Sequence, residues 1–182
     1  MYRDWRFLLG MLALQYLAAF WLVTRHHPLA MGTAKLVTGW MVVAALGMTQ
    51  ISLPPRREEM ESLDFRGHWF PMILIGIAAL AAAGASPRIE AAIPGLGLQV
   101  IAGSILLIGS GLIHLSITAD ILRVVLGLLT MLTGFEIIYA AVESSILVAG
   151  MLAVTNLGLG LIGSYLLIAD SSSDAKIEEE QL

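Results

Sequence analysis

Few side chains in this sequence are suited to moving a proton or holding an ion within an apolar environment, and they cluster. Glu136 stands in the run Leu126-Gly-Leu-Leu-Thr-Met-Leu-Thr-Gly-Phe-Glu136-Ile-Ile-Tyr139, flanked on both sides by two further apolar runs, Ile105 to His114 and Ile146 to Leu167. One ionisable side chain deep in such a run costs about 2.5–3.5 kcal/mol at a helix centre on insertion scales, so a cation, a water chain or a buried partner must offset it. The default chemistry for such a group is proton or ion transfer. Thr133 and Tyr139, three residues to either side, share its general face on a helix and bring hydroxyls to a relay. Glu143 lies seven residues past Glu136, near one heptad, so both carboxylates project from similar sides; it also precedes Ser144-Ser145 at a tight turn, which favours a plain interfacial residue over a second relay carboxylate. Asn156, in the following run, is about as far from that turn as Glu136 and approaches it in a hairpin. His114, with Asp120 after it, is placed to act as a proton inlet.

The rest of the chain determines what must carry these groups. Of 182 residues, 58% are hydrophobic and only 13% charged, against roughly 45–50% and about 25% in soluble domains, so lipid or other membrane subunits must solvate most of the surface. The expected fold is all-α, a polytopic membrane protein. Polar breaks divide it into six spans, Phe7–Thr24, Leu36–Leu53, Trp69–Ala85, Leu96–Ile117, Leu122–Val142 and Ile146–Ala169. At roughly 17–25 residues each can cross a hydrocarbon core of about 30 Å as a helix. Arg3 and Arg6 precede the first run, but its length and the lack of a small-residue cleavage pattern favour a retained helix over a signal peptide.

Between the spans, Arg25, His26, His27 and Lys35 form the first connection. Adjacent histidines point different ways on a helix and have no carboxylate or cysteine beside them, so no metal site is expected. The segment Arg56 to Arg66 is the most charged and reads as a solvated loop or a short surface helix. A loop with Pro87, Arg88, Glu90 and Pro94 follows span three. Cysteine is absent, which removes disulfides and thiolate metal ligands. No basic patch offers itself to phosphates, so nucleic acid is not an expected partner. Gly158-Leu-Gly160-Leu-Ile-Gly163 matches a dinucleotide fingerprint only as letters; with no preceding strand it reads as a helix-packing groove, with Gly109, Gly111, Gly127 and Gly134. With the N-terminus cytoplasmic, that side holds seven basic residues (Arg3, Arg6, Arg56, Arg57, Arg66, Arg123 and Lys176) against three (Arg25, Lys35 and Arg88), which places both termini inside. Glu136, about 13 residues beyond Arg123, is then roughly 20 Å from the cytoplasmic end.

Asp120-Ile-Leu-Arg123 followed by Leu132-Thr-Gly134-Phe-Glu136-Ile-Ile138 resembles the three-helix subunit K of NADH-quinone oxidoreductase and its relatives in cation/proton antiporters and membrane hydrogenases, over roughly 65 residues. That family joins its first two helices by a short charged turn and continues as Leu-Ile-Gly-Leu-Glu-Ile-Met. The resemblance implies that Glu136 is the membrane glutamate of proton translocation. The family's third helix carries a second glutamate, where this chain has Asn156 or Thr155. With three additional N-terminal spans, the whole is similar to component E of hydrogenase-4-type complexes. The expected organisation is therefore a membrane extension over residues 1–95, a subunit-K-like portion over 96–169 and an acidic cytoplasmic tail over 170–182. The expected function is that of a subunit in a complex-I-related assembly of a bacterial or archaeal membrane, adding a buried glutamate to proton or cation translocation. It binds no cofactor and has no catalytic residues of its own, any redox chemistry belonging to neighbouring membrane subunits. A scaffold subunit and a small stand-alone transporter are the alternatives. The latter is disfavoured because its carboxylates have no evident paired cation.

Overall fold

A computed structural model describes residues 4–24, 29–54, 69–142 and 145–180. Among them are six helices, α1 (Asp4–Thr24), α2 (Leu29–Ser52), α3 (Trp69–Ala92), α4 (Leu98–Ile117), α5 (Ile121–Val142) and α6 (Ile146–Glu180), and no strands. All six are long and apolar enough to cross a membrane. The chain is an all-helical integral membrane protein.

Four of the helices close a ring in which α1 packs on α2, α2 on α6, α6 on α5 and α5 back on α1. The pattern that brings them together is a three-and-four spacing of inward residues on each helix. Leu9, Leu12, Tyr16, Ala19 and Val23 form the buried stripe of α1, and Thr38, Val42 and Leu46 that of α2. Leu122, Val125, Leu129, Thr133 and Glu136 face inward from α5, as do Asn156 and Leu167 from α6. Residues at this spacing lie above one another on one face of a helix, so each stripe meets the bundle axis along its length. One half of the interior is apolar, a cluster of Leu9, Leu12, Val42, Leu46, Leu122, Val125, Leu126, Leu129 and Leu167. Glu136 and Asn156 lie in the other half, toward the end where α1 and α5 finish and α2 and α6 begin.

Outside the ring, α4 lies against α5, and α3 against α4. The α4–α5 contact is backbone on backbone. A Cβ at Gly111 would lie 2.7 Å from the carbonyl oxygen of Gly127 and 2.8 Å from the Met131 nitrogen; one at Gly134 would lie 2.7 Å from the Ser104 carbonyl oxygen. Only glycine permits this approach, which substitutes dispersion between backbones for the hydrophobic force that lipid does not supply. Gly160 and Gly163 of the fingerprint-like stretch receive Val42 and Val125, and Gly109 meets Ala78, while Gly158 has open space beside it. α3 buries little, with Ala82 and Ser86 its buried residues, and it turns Ile73, Ile77 and Leu80 outward. Those exposed side chains suit a lipid-facing surface.

Several helix limits differ from the sequence expectation. α2 begins at Leu29 instead of Leu36, because Leu29-Ala-Met-Gly-Thr-Ala is apolar or small and offers no helix stop, so Lys35 stands inside a helix and not in a connection. α3 runs on to Ala92 through Pro87, Arg88 and Glu90. Proline's fixed φ is compatible with a helix at the cost of one hydrogen bond, and the stop comes later, at Pro94 with Gly95 (φ 102°) and Gly97 (φ 80°). α6 extends past Ala169 to Glu180, so most of the acidic tail is helical. The charged segment from Arg56 to Arg66, His26, His27 and Glu143 fall outside the described residues.

The glycine contacts make a direct test. Gly111→Ala forces α4 and α5 apart and is expected to cost about 1–3 kcal/mol, seen as a Tm lowered by several degrees in detergent. Gly150, with nothing within 4 Å of an added Cβ, is the control: Gly150→Ala should leave Tm unchanged or slightly raised. Equal losses at both positions would show that the close approach is not what holds α4 to α5.

Candidate functional site

Each helix of the ring contributes one polar side chain to a common centre. From α5 comes Glu136, 5% exposed, and from α2 Lys35, whose side chain is 12% exposed. The Lys35 ammonium donates to Glu136 Oε2 in an ion pair that joins residues 101 apart in sequence. Asn156 of α6 donates through Nδ2 to the other carboxylate oxygen, Oε1. Its own carbonyl Oδ1 accepts from the Tyr16 hydroxyl of α1 at 3.3 Å. Tyr16 and Asn156 are almost wholly buried, at 0% and 2% exposure.

The depths agree with this geometry. Lys35 is six residues from the start of α2 and Glu136 six residues from the end of α5, so at 1.5 Å per residue each lies about 9 Å inside its helix end. A lysine at that depth can extend toward the membrane surface, yet this one turns to the carboxylate. Interior charges behave this way when pairing there outweighs the hydration available at the interface.

A cavity of about 60 Å³ adjoins the pair and is lined by Thr38, Tyr139, Ser145 and Ala149 as well as Lys35, Glu136 and Asn156. That is room for a few waters, in a wall that is mostly apolar, with Val23, Met31 and Leu152 among its residues. Its α6 wall runs from Ser145, next to the helix start, to Asn156, which connects the pair toward one end of the bundle. On the other side of the pair the chain of polar contacts is thinner. Thr133 lies beside the Tyr16 hydroxyl and is spent on its own helix, donating to the Leu129 carbonyl at 2.7 Å. Further along, Thr130 donates to Gln15 Oε1 at 3.0 Å, while Gln15 Nε2 is buried without a partner among the described residues. Beyond these begins the apolar cluster.

The residues singled out from sequence distribute unevenly. Glu136 and Asn156 are in direct contact, and Tyr139 lines the cavity while stacking on Phe135 with ring centroids 6.1 Å apart. Thr133 is buried near Tyr16. Thr155, the other candidate for the second family position, is exposed and bonded back to Met151. His114 is not part of the site. Gly111 meets Gly127 and Met131 across the antiparallel α4–α5 pair, so His114 is level with the turn before Gly127, about 15 Å along the axis from Glu136. Its Nε2 is buried and has no hydrogen-bond partner among the described residues.

Lys35 and Tyr16 are the residues that sequence reasoning passed over. Lys35 is counted above among the basic residues of a connection and the carboxylates are taken to lack a cation; both readings are overturned by the pair. A usable signal exists, since Lys35 continues backward the stripe Thr38, Val42, Leu46, and Tyr16 stands in the stripe from Leu9 to Val23. No family model, curated protein or solved structure matches this chain.

Because the pair is enclosed, removing one member strands the other charge. Lys35→Met or Glu136→Gln alone is expected to destabilise by about 3–5 kcal/mol, and the double variant by less than either. Thermal unfolding of the three variants in one detergent forms the double-mutant cycle; additive losses would mean that the two side chains do not interact.

Proposed function

We propose that this chain is a membrane subunit of a complex-I-related assembly in which the Lys35–Glu136 pair carries protons toward or from neighbouring subunits. The observation that supports it most is a carboxylate held in the bundle interior by an ammonium and an amide, beside a cavity wide enough for water. Intramembrane ionisable groups are costly and are kept chiefly where they serve a pathway. A buried ion pair adds little to stability over an apolar pair of equal volume, which argues for a role in charge movement over one in folding. The likeness of Asp120–Arg123 and Leu132–Ile138 to subunit K supports the choice of assembly, and it rests on those residues alone. In this reading Asn156 stands where the relatives have a second carboxylate and holds Glu136 in place. The lateral neighbour supplies the next titratable group.

The bundle is oriented with both termini in the cytoplasm of a bacterial or archaeal cell. Withdrawing Lys35, which is spent on Glu136, leaves the basic residues seven to two in favour of that side. The cavity then faces the outer side. A second reading gains from the same pair: a small stand-alone transporter needs a carboxylate with a matching cation, and Lys35 supplies it.

Purification of the tagged chain from its native membrane in mild detergent, with mass spectrometry of what accompanies it, tests the assembly. Antiporter-like and dehydrogenase- or hydrogenase-like subunits in stoichiometric amounts are expected. Glu136→Gln should then abolish proton translocation in inverted vesicles while the complex still assembles. Pumping that survives the substitution would make the chain a scaffold, and a chain that purifies alone would favour the transporter.

A further inference from the structure

Both oxygens of the carboxylate at the centre of the site are engaged. Oε2 takes the Lys35 ammonium and Oε1 the Asn156 amide nitrogen, and the oxygen of that same amide, Asn156 Oδ1, takes the Tyr16 hydroxyl. Thr38, on the cavity wall, directs its hydroxyl proton to the Ala34 carbonyl at 2.8 Å. An alkali cation leaves water only for a shell of several oxygen ligands that replace its hydration. Here the strongest of those ligands is already engaged by a cation, one tethered to α2. A second positive ion would meet that ammonium as a like charge in an interior of low dielectric. A proton needs no vacant coordination shell, because it adds to or leaves a group already in place.

We propose that Lys35 is the selectivity determinant of this site: its ammonium occupies the position a small monovalent cation would take on Glu136, so the site exchanges protons and rejects Na⁺ and K⁺. This rests on the reading that the pair carries the translocated charge, and it supplies a physical reason for that charge to be a proton and not a metal cation. A corollary follows from shape. Shortening Lys35 to alanine frees Oε2 and vacates the space of the lysine stem next to Glu136, Thr38 and Tyr139, all on the cavity wall. The resulting pocket has the chemistry of an ammonium site, and a small primary ammonium ion is its best occupant.

The test uses the purified full-length chain. In the wild type, NaCl, KCl and methylammonium chloride should shift Tm no more than choline chloride of equal ionic strength. In Lys35→Ala, saturating methylammonium should raise Tm by roughly 5–10 °C over choline, with Na⁺ giving a smaller rise, and Lys35→Ala/Glu136→Gln should abolish both. Binding of radioactive sodium to the wild type and to Glu136→Gln is measured alongside, and does not depend on Lys35→Ala folding. Equal background binding to both is expected. Sodium bound by the wild type in a Glu136-dependent manner would overturn the proposal, as would a folded Lys35→Ala that shows no cation-specific shift. Methylammonium rescue of Lys35→Ala, found together with a Glu136→Gln variant that still pumps, would support the cation position while sinking the proton-carrying role.

Discussion

A carboxylate and an ammonium placed inside an apolar bundle are tolerable only as a pair, and the pair only if its remaining hydrogen-bonding positions are filled. Either ion alone would face a desolvation cost of several kcal/mol. Lys35 and Glu136 meet this condition through Asn156, which donates to the second carboxylate oxygen, and Tyr16, which fixes the amide by bonding its oxygen. The requirement ties four helices to one point. If α1, α2, α5 or α6 turned about its axis by one residue, about 100°, its contribution would leave the centre.

The rest of the architecture keeps α5 from doing so. On one face it is pinned by the glycine contacts with α4, where backbone meets backbone and no side chain can adjust. On the other, Val125 fits against Gly163, and the leucines of the apolar half interlock with those of α1 and α2. Small residues thus do for position what the charged pair does for chemistry. The apolar half has a second effect, since the described polar contacts stop at the Gln15–Thr130 pair and give way to leucine and valine. Water that reaches Glu136 from the cavity meets a closed floor.

Much of this was legible in the sequence, and the remainder was not for identifiable reasons. Runs of 20 or so apolar residues gave the helices, all six of which are present. Glu136 was conspicuous because a charge in such a run has no local excuse, and Asn156 followed from counting residues away from a shared turn. Lys35 escaped because hydropathy assigns a charge at the margin of a span to the adjoining connection. What distinguishes it is a partner 101 residues away; the stripe it continues on α2 tells that it faces the bundle but not what it meets there. Pro87 misled in the opposite direction: it resembles a stop but occupies an exposed position where the loss of one hydrogen bond is tolerated. Glycine spacing indicated close packing but not which glycine would be used, and Gly158, with space beside it, shows how little the letters alone decide.

The length of α6 has a mechanical consequence. Its 35 residues measure about 52 Å, well beyond a hydrocarbon core of about 30 Å. Beyond Asn156 the helix is still packed, with Gly160 and Gly163 against Val42 and Val125 and with Leu167 buried, and from Leu167 it continues 13 residues further to Glu180. Over such an arm, about 20 Å, a tilt of roughly 5° sweeps the tip through about 2 Å. A reorientation of the packed part of α6 would thus be carried to the far end of the rod without a hinge and without a moving loop.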